Sequence, residues 1–423
     1  MNNTEAAKSE PASYSQFACI GAGFSGICFG ATLKRWYGIS DVRIFEKETE
    51  VGGTWVINQY PDTCHLAHGN TNNIGKLTKS HRRIYVRDHA AGRSYVHEAQ
   101  FLFSGASFIH EPRNLDVPGV ETFRGPIVHS ARWKKDLDLQ DKRVAVIGNG
   151  CSASRVVPAI LDKAQSINQV FRSKHWIEPP IEVQYPLSPF VFLAKHAPWT
   201  QTAYHMTKYG SWLRGLFTKS TDKYMRATAP EKYHDILIPD FDLGCRRRIY
   251  DPGYLQPLHS DKITLTNEPA LEITPEGVRT KSEVIGADVI ILANGFKTGQ
   301  FSVGIDVVGR NGEALHEHWE KFGGPTGYNC TAVSSYPNFF FSAVSPNSGT
   351  GHTSLISAIE NQVNFALRVI RPVLEGRASS AELKREAEET YTQQLQQDLK
   401  KRVWETGGCP TWYVETSEMT SDS

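Results

Sequence analysis

Gly21-Ala22-Gly23-Phe24-Ser25-Gly26 follows the short apolar run Ser15 to Ile20 and precedes a helical pattern that continues to about Tyr37. Strand, tight glycine turn and helix in that order is an arrangement that can cradle a pyrophosphate. Gly21 permits the turn, Gly23 lets the backbone approach the anion, and Gly26 lets helix and strand pack closely. The helix N-terminus, with its unpaired N–H groups, then faces the negative charge. Such a glycine pattern alone is a weak signal. Here a second strand, Asp41 to Phe45, ends at Glu46, twenty residues past Gly26, where a carboxylate can accept hydrogen bonds from ribose hydroxyls. A glycine turn with a surface glutamate is the plain alternative.

The pattern recurs. Arg143 to Ile147 leads into Gly148-Asn149-Gly150-Cys151-Ser152-Ala153, a helix to about Lys163, and a strand ending Gln169-Val170-Phe171-Arg172. At the ribose-reading position stand Arg172 and Ser173 in place of an acid. A carboxylate would repel a 2′-phosphate, whereas a guanidinium binds it through two charge-assisted hydrogen bonds. That asymmetry assigns NADPH to the second turn and leaves FAD to the Glu46 site. Candidate NADPH contacts are Gly148, Asn149, Gly150, Cys151, Ser152, Ala153, Ser154, Arg155, Arg172 and Ser173. An exposed cation at a strand end remains the alternative reading of Arg172.

Around these turns, alternation predicts a hairpin from Arg83 to Asp88 and Ser94 to Phe103, whereas Asp62 to Arg82 shows neither helical nor strand period. Prolines and glycines from Pro112 to Pro126 mark an extended connection. Residues Ser173 to about Lys262, with Trp176, Trp199 and Trp212, read as an irregular, substrate-covering insertion. Ala287 to Gly295 is a continuous apolar strand of the kind buried on both faces of a parallel sheet. A strand from Pro337 to Val344 leads through Ser345 to Gly349 into a helix from about Gly351 to Leu374. Its N-terminus could face a flavin carbonyl or simply be capped. Ser380 to Glu405 reads as a charged amphipathic packing helix. The fold class is α/β, with two Rossmann-like dinucleotide-binding domains, one inserted in the other. The expected layout is a disordered tail at 1–14, an FAD-binding domain in two parts at 15–135 and 284–378, an NADPH-binding domain with the insertion at 140–280, and a C-terminal helix and tail at 379–423.

Across 423 residues, 46 basic side chains stand against 45 acidic ones, so no net field exists to hold nucleic acid or an anionic membrane. Phe17 to Leu33, the most membrane-like stretch, is shorter than the roughly 20 apolar residues of a span and lacks a basic lead-in. Seven scattered cysteines, Cys19, Cys28, Cys64, Cys151, Cys245, Cys330 and Cys409, contain no CxxC. That disfavours a disulfide scaffold, a zinc site and a redox dithiol, and fits a reducing, cytoplasmic setting. No metal is expected, and the sequence carries no signature of oligomeric state.

The connection before the second turn reads Phe123-Arg-Gly125-Pro-Ile-Val-His129-Ser-Ala-Arg-Trp133, which resembles the FxGxxxHxxxW fingerprint of class B flavin monooxygenases of the Baeyer–Villiger type. Gly52-Gly53-Thr54-Trp55 and the strand ending Ala293-Asn294-Gly295 are similar to that family's, with Asn294 where threonine is usual. The resemblance spans about Gln16 to Tyr413 and is nearest to the fungal branch that tailors secondary metabolites. It implies FAD contacts at Gly21, Gly23, Phe24, Ser25, Gly26, Glu46, Gly53, Thr54, Trp55, Val56, Ile57 and Tyr60. It also implies that NADPH reduces FAD, and that a peroxyflavin oxygenates a small ketone or other soft centre with O2. The arginine that holds the peroxide would be Arg247, within Leu243-Gly244-Cys245-Arg246-Arg247-Arg248, with Arg246 as second candidate. Without the resemblance, three adjacent arginines read as a solvated basic loop.

Departures accompany it. Leu66 stands where the family's arginine-orienting aspartate is expected, only 68 residues separate Trp55 from Phe123, and the chain stops soon after Trp412-Tyr413. A shortened flavin domain is the expectation. The alternatives are an uncoupled NADPH oxidase and a non-catalytic nucleotide-binding relative.

Overall fold

The computed structural model describes residues 13–61, 72–78, 81–88, 91–106, 111–180, 208–298, 305–342 and 355–409. The chain divides into two compact units, one of residues 1–59, 63–112 and 296–398, the other of 60–62, 113–295 and 399–423.

In the first unit, β1 (Ser13–Ile20) pairs in parallel with β2 (Val42–Phe45) on one side and β5 (Arg93–Ser104) on the other. Along its far edge β5 takes β4 (His81–Asp88) antiparallel and, at its end, β16 (Phe339–Phe341) in parallel. Period-2 alternation explains how this sheet is covered on both faces. Phe17 and Cys19 enter one core with Phe29 and Leu33 of α1 (Phe24–Tyr37) and Val363 and Leu367 of α7 (Leu355–Leu374). Ala18 and Ile20 enter the other with Phe45, Leu102, Phe339 and Trp319, the last from α6 (Leu315–Glu320). A short α2 (Thr54–Ile57) follows the glycine pair Gly52-Gly53, and α8 (Arg385–Leu399) closes the unit.

The second unit is built on a five-stranded, all-parallel sheet in the order β11-β8-β7-β15-β6: Ile263–Thr266, Ser166–Val170, Arg143–Ile147, Val289–Leu292 and Ile127–His129. Val144 and Val146 of β7 face one core, Ala145 and Ile147 the other. Helix α3 (Ala153–Ile160) buries Val156, Val157 and Ile160, and α4 (Lys208–Thr228) contributes Met225. Smaller elements complete it: α5 (His234–Leu237), the parallel pair β9 (Ile177–Glu178) and β10 (Ile249–Tyr250), the antiparallel β12 (Glu272–Thr274), β13 (Gly277–Arg279) and β14 (Val284–Gly286), and α9 (Val403–Thr406).

Five features differ from the sequence reading. Part of the stretch without period, Asn72–Thr78, is a strand, β3, antiparallel to β4 from Asn72 opposite Arg87 to Thr78 opposite His81. At the end of the sheet order, it is specified by its partner's open edge rather than by apolar alternation of its own. The apolar strand expected to open the second FAD segment instead lies between β7 and β6 of the second sheet, so the units meet the chain at Gly295 and Phe296, not at 280–284. Likewise Arg113 to Trp133 belongs to the second unit, not to a first segment ending at 135. Either sheet would bury such a strand on both faces, which is why its sequence does not say which sheet it joins. The C-terminal helix expected through Glu405 ends at Leu399, and the chain from there counts with the second unit. Finally, Cys245 and Cys409 form a disulfide, Cα atoms 6.2 Å apart, across a sequence separation of 164. Nothing in local spacing marks such a pair.

The tail at residues 1–12, the run Asp62 to Leu66, Trp199, the loop Ser345 to Gly349 and Trp412-Tyr413 lie outside the described residues. No helix among the described residues is long and apolar enough to cross a membrane.

Candidate dinucleotide sites

The first glycine turn joins β1 to α1. Gly21 donates its N–H to the Phe45 carbonyl at 2.6 Å, and a Cβ at Gly26 would sit 2.1 Å from the Gly21 carbonyl oxygen, so only glycine lets this helix start against this strand. A second glycine loop seals the turn, with Gly52 N–H donating to the Ala22 carbonyl at 3.0 Å. Glu46 is buried, and its carboxylate accepts three backbone N–H groups: Ala22 at 2.6 Å, Lys47 at 2.8 Å and Glu48 at 3.0 Å. It therefore fixes the glycine turn as well as offering its remaining lone pairs to a ribose. The first turn of α1 carries no acid and Gly23 caps it without a side chain, leaving a helix N-terminus suited to an anion. Ser25 is buried behind it, and the exposed Phe24 and Trp55 meet edge to face at 6.0 Å. Thr54 and Val56 are half-buried beside Trp55, while Ile57 is buried. These residues fit the diphosphate and ribose of FAD. Tyr60 does not join them: its side chain is buried in the apolar core of the second unit.

The second turn is held by a polar network that the motif does not reveal. Gly148 N–H donates to the Val170 carbonyl at 2.9 Å. Fully buried Gln169 donates to the Gly148 carbonyl at 2.9 Å and to Asn149 Oδ1 at 3.1 Å, and receives the Tyr254 hydroxyl at 2.7 Å. Asp251 anchors that tyrosine by accepting its backbone N–H at 2.6 Å and takes the Tyr224 hydroxyl at 2.8 Å on its other oxygen. Asn149 Nδ2 reaches the Ser173 carbonyl at 3.4 Å, tying the turn to the segment that bears Arg172. Ser154 is buried and bonds the Cys151 carbonyl at 3.1 Å. Gly150 has open space where a Cβ would point, and Cys151, Arg155 and Arg172 are exposed. Ser152 is half-buried at the N-cap of α3 and Ala153 is buried in its first turn, which carries no acid.

The arginine segment lies in this second unit. Burial, and after it the charge of Arg172, hold the Arg246 guanidinium below its usual pKa. The charge of Arg172 thus acts on Arg246 within the unit that carries the second glycine turn, a repulsion that a dianionic phosphate would relieve. Arg246 also lies over the Phe241 ring at 5.4 Å. Behind it, burial and then Arg246 push His175 down to about 4, against a hydrogen bond to the Arg247 main chain. Arg248 pairs with buried Glu178 at 3.3 Å, and β9 and β10 run alongside in register Ile177 to Ile249. Arg247 itself is exposed between these two fastened neighbours. The two arginines that the sequence put forward together thus differ: Arg247 is exposed, whereas Arg246 is half-buried and feels the charge of Arg172.

Comparison with known proteins agrees with this geometry. Residues 84–197 match the model of the flavin-binding monooxygenase-like family, and residues 19–85 match an NAD(P)-binding Rossmann-like domain. Over residues 84–197 the chain is similar to the flavin-binding monooxygenase-like family. A Baeyer-Villiger monooxygenase of Pseudomonas aeruginosa is 29% identical over 462 residues, covering 95% of this chain and 86% of that protein. The FAD-binding monooxygenase ktnD of Aspergillus niger is 26% identical, covering 93% and 76%. Among solved structures, oxidized steroid monooxygenase bound to NADP superposes with a TM-score of 0.76 at 20% identity, covering 95% of this chain and 93% of that one. An alignment of 462 positions on a chain of 423 residues means that this chain lacks segments its bacterial relative carries.

The monooxygenase fingerprint now has a physical basis. A Cβ at Gly125 would lie 2.1 Å from the Asp288 carbonyl oxygen, so glycine is needed where the connection passes β15. His129, its pKa lowered chiefly by burial, bonds the Gly295 carbonyl at 3.0 Å through Nε2 while Nδ1 accepts the Ala131 N–H. Gly295 also accepts the Arg113 N–H at 3.0 Å, and Asn294 Nδ2 bonds the Arg113 and Asn114 carbonyls at 3.2 Å each. His129 and Asn294 thus fasten the two passages of the chain that enter and leave this unit. Sequence reasoning found His129 by its spacing. It missed Gln169 and Tyr254, which the fold brings together, and His175, which the fold sets against the arginine segment.

Proposed function

We propose that this protein is an FAD- and NADPH-dependent monooxygenase that inserts oxygen from O2 into a small organic molecule, a ketone or sulfide of the kind tailored in secondary metabolism. The observation that carries this reading is the pairing of two glycine turns in one chain, one backed by the buried Glu46 carboxylate and the other flanked by Arg172 and Arg246. The match of residues 84–197 to the flavin-binding monooxygenase-like model and the similarity to an FAD-binding monooxygenase and to an NADP-bound one support it.

FAD, once reduced by NADPH, supplies the electrons that activate O2. The first turn holds the FAD diphosphate at the N-terminus of α1, and Glu46 accepts from the adenosine ribose. At the second turn, Arg172 and Arg246 clamp the 2′-phosphate, while Asn149, Gln169 and Tyr254 keep the turn rigid under it. Arg247 supplies the fixed cation for negative charge that develops on oxygen. A preorganised cation costs no reorganisation when that charge forms. His175 and the Arg248–Glu178 pair act through position, holding the main chain on either side of Arg247.

Purified protein should be yellow and consume NADPH well ahead of NADH; a correctly folded, colourless protein would overturn the reading. Replacing Arg247 by Ala should lower oxygenated product by about 100-fold or more while flavin reduction by NADPH changes little. Equal loss of both would remove the role assigned to Arg247. Peroxide formation that accounts for all NADPH across a ketone and sulfide panel would favour an uncoupled oxidase, a reading that the missing segments make worth testing.

A further inference from the structure

The Cys245–Cys409 disulfide joins the residue immediately before Arg246 to the C-terminal segment. We propose that it is a redox-operated latch on the arginine segment: closed, it holds Arg246 in place for the 2′-phosphate, and opened by a dithiol reductant it weakens recognition of NADPH. This rests on the reading of the second turn as the NADPH site.

The segment Asp242 to Cys245 is a tight turn, with Cys245 N–H donating to the Asp242 carbonyl at 3.1 Å and Gly244 in the left-handed region at φ 91°. The C-terminal segment packs directly on it. Asp242 N–H donates to the Gly407 carbonyl at 3.1 Å, and a Cβ at Gly407 would lie 3.0 Å from the Cys245 Cβ. Helix α9 has only four residues, with Val403 as its buried side chain, and a helix of one turn is not stable by itself. The covalent bond fastens this short segment to the turn that launches the three arginines.

The two cysteines differ in burial. Cys245 is fully buried, whereas Cys409 is partly exposed. Exchange accordingly begins when a thiolate of a dithiol protein attacks Cys409 Sγ. A mixed disulfide forms, the bond to Cys245 breaks, and Cys245 leaves as a thiolate that takes up a proton. The reductant's second thiol then attacks its own sulfur in the mixed disulfide, freeing Cys409 as a thiol and leaving the reductant as a disulfide. Two electrons and two protons pass to this chain, and the same exchange in reverse closes the latch. In the open state, the turn keeps its internal hydrogen bond but loses its covalent hold on the segment packed against Cys245.

The test uses flavin-loaded full-length protein, with 2′,5′-ADP and ADP as calorimetric probes and dithiothreitol as the reductant. Peptide mapping of the non-reduced protein should show residues 245 and 409 cross-linked. Reduction, and separately C409S, should each weaken 2′,5′-ADP binding by about tenfold and leave ADP binding within about twofold, and C409S should no longer respond to reductant. Equal 2′,5′-ADP affinity in both redox states overturns the latch, as does absence of the cross-linked peptide or a reductant response that persists in C409S. R172A separates the two proposals. If oxidised R172A binds 2′,5′-ADP as the unmodified protein does, the NADPH-site reading fails; if it loses affinity while reduction has no effect, only the latch fails.

Discussion

Glu46 places one carboxylate on three backbone N–H groups, and that number bears on how its role should be tested. Glutamine keeps the size but replaces one acceptor oxygen by an amide donor, which must face an N–H group. The expected outcome for E46Q is loss of about 1–3 kcal/mol from the turn, the cost of unsatisfied buried donors, read as flavin lost on gel filtration and a lowered flavin-release temperature. Undiminished flavin retention would show that the carboxylate is dispensable. The two arginines differ in the opposite sense. Because the charge of Arg172 acts on Arg246, R246A should raise KM for NADPH about 10- to 100-fold, the worth of one or two charge-assisted bonds. Its kcat at saturating NADPH should stay within a few-fold, and steady-state kinetics against NADH provides the control. A collapse of kcat with unchanged KM would return Arg246 to the oxygenation step. Glu46 and Arg172 were legible in sequence because each occupies a fixed offset from a glycine turn. His175 and Tyr254 were not, since no local pattern brings them to Arg246 or Gln169.

At the scale of elements, β1, α1 and β7 were readable to within two residues or better, since short buried strands and capped helices next to glycine turns are specified locally. Edge strand β3 was not, for the opposite reason: its placement comes from its pairing with β4. The attachment of α8 was equally hidden. Its Glu388 is fully buried, bonded to His318 of α6 at 3.2 Å through either oxygen and to the Ser334 N–H at 2.8 Å, while Thr392 meets Thr326 at 2.9 Å. A glutamate in a charged helix reads as solvent-facing, so burial here is decided by its partners. E388A would leave an imidazole and a backbone N–H unpaired in a dry site, a loss of about 3 kcal/mol or more. Thermal release of bound flavin should then occur several degrees lower, whereas alanine at the half-buried neighbour Glu389, which pairs with the exposed Arg385, should shift it by less than a degree or so. Equal shifts for the two would show that the buried site contributes no more than a surface pair.

For the whole molecule, the number of domains and the nature of their turns were legible, while the division of the chain between them was not, because β15 suits either sheet. Both units share one electrostatic property that ties stability to acidity. His97 is buried in the first, between the Ser13 and Ser15 hydroxyls at 2.8 Å each, and burial, followed by the Arg43 charge, pushes it down to about 4. His175 in the second unit is pushed down to about 4 by burial and then by Arg246. An unfolded chain protonates both near 6.5, so between pH 6.5 and 4 it binds protons that the folded protein refuses. Stability must fall as pH is lowered through that window and stay level above it with respect to these groups. At pH 5 the expected loss is at most about 2 kcal/mol for each histidine. Asp288, held down to about 2 chiefly by its hydrogen bond with Arg143, adds a loss only below about pH 4. Differential scanning of the flavin-loaded protein should therefore show a melting temperature level from pH 8 to 7 that declines from pH 6.5 to 4.5. In H97Q the decline should be shallower, because glutamine can bond the same hydroxyls without titrating. A melting temperature that is flat to pH 5, or an H97Q profile parallel to that of the unmodified protein, would show that His97 is not held neutral in the fold.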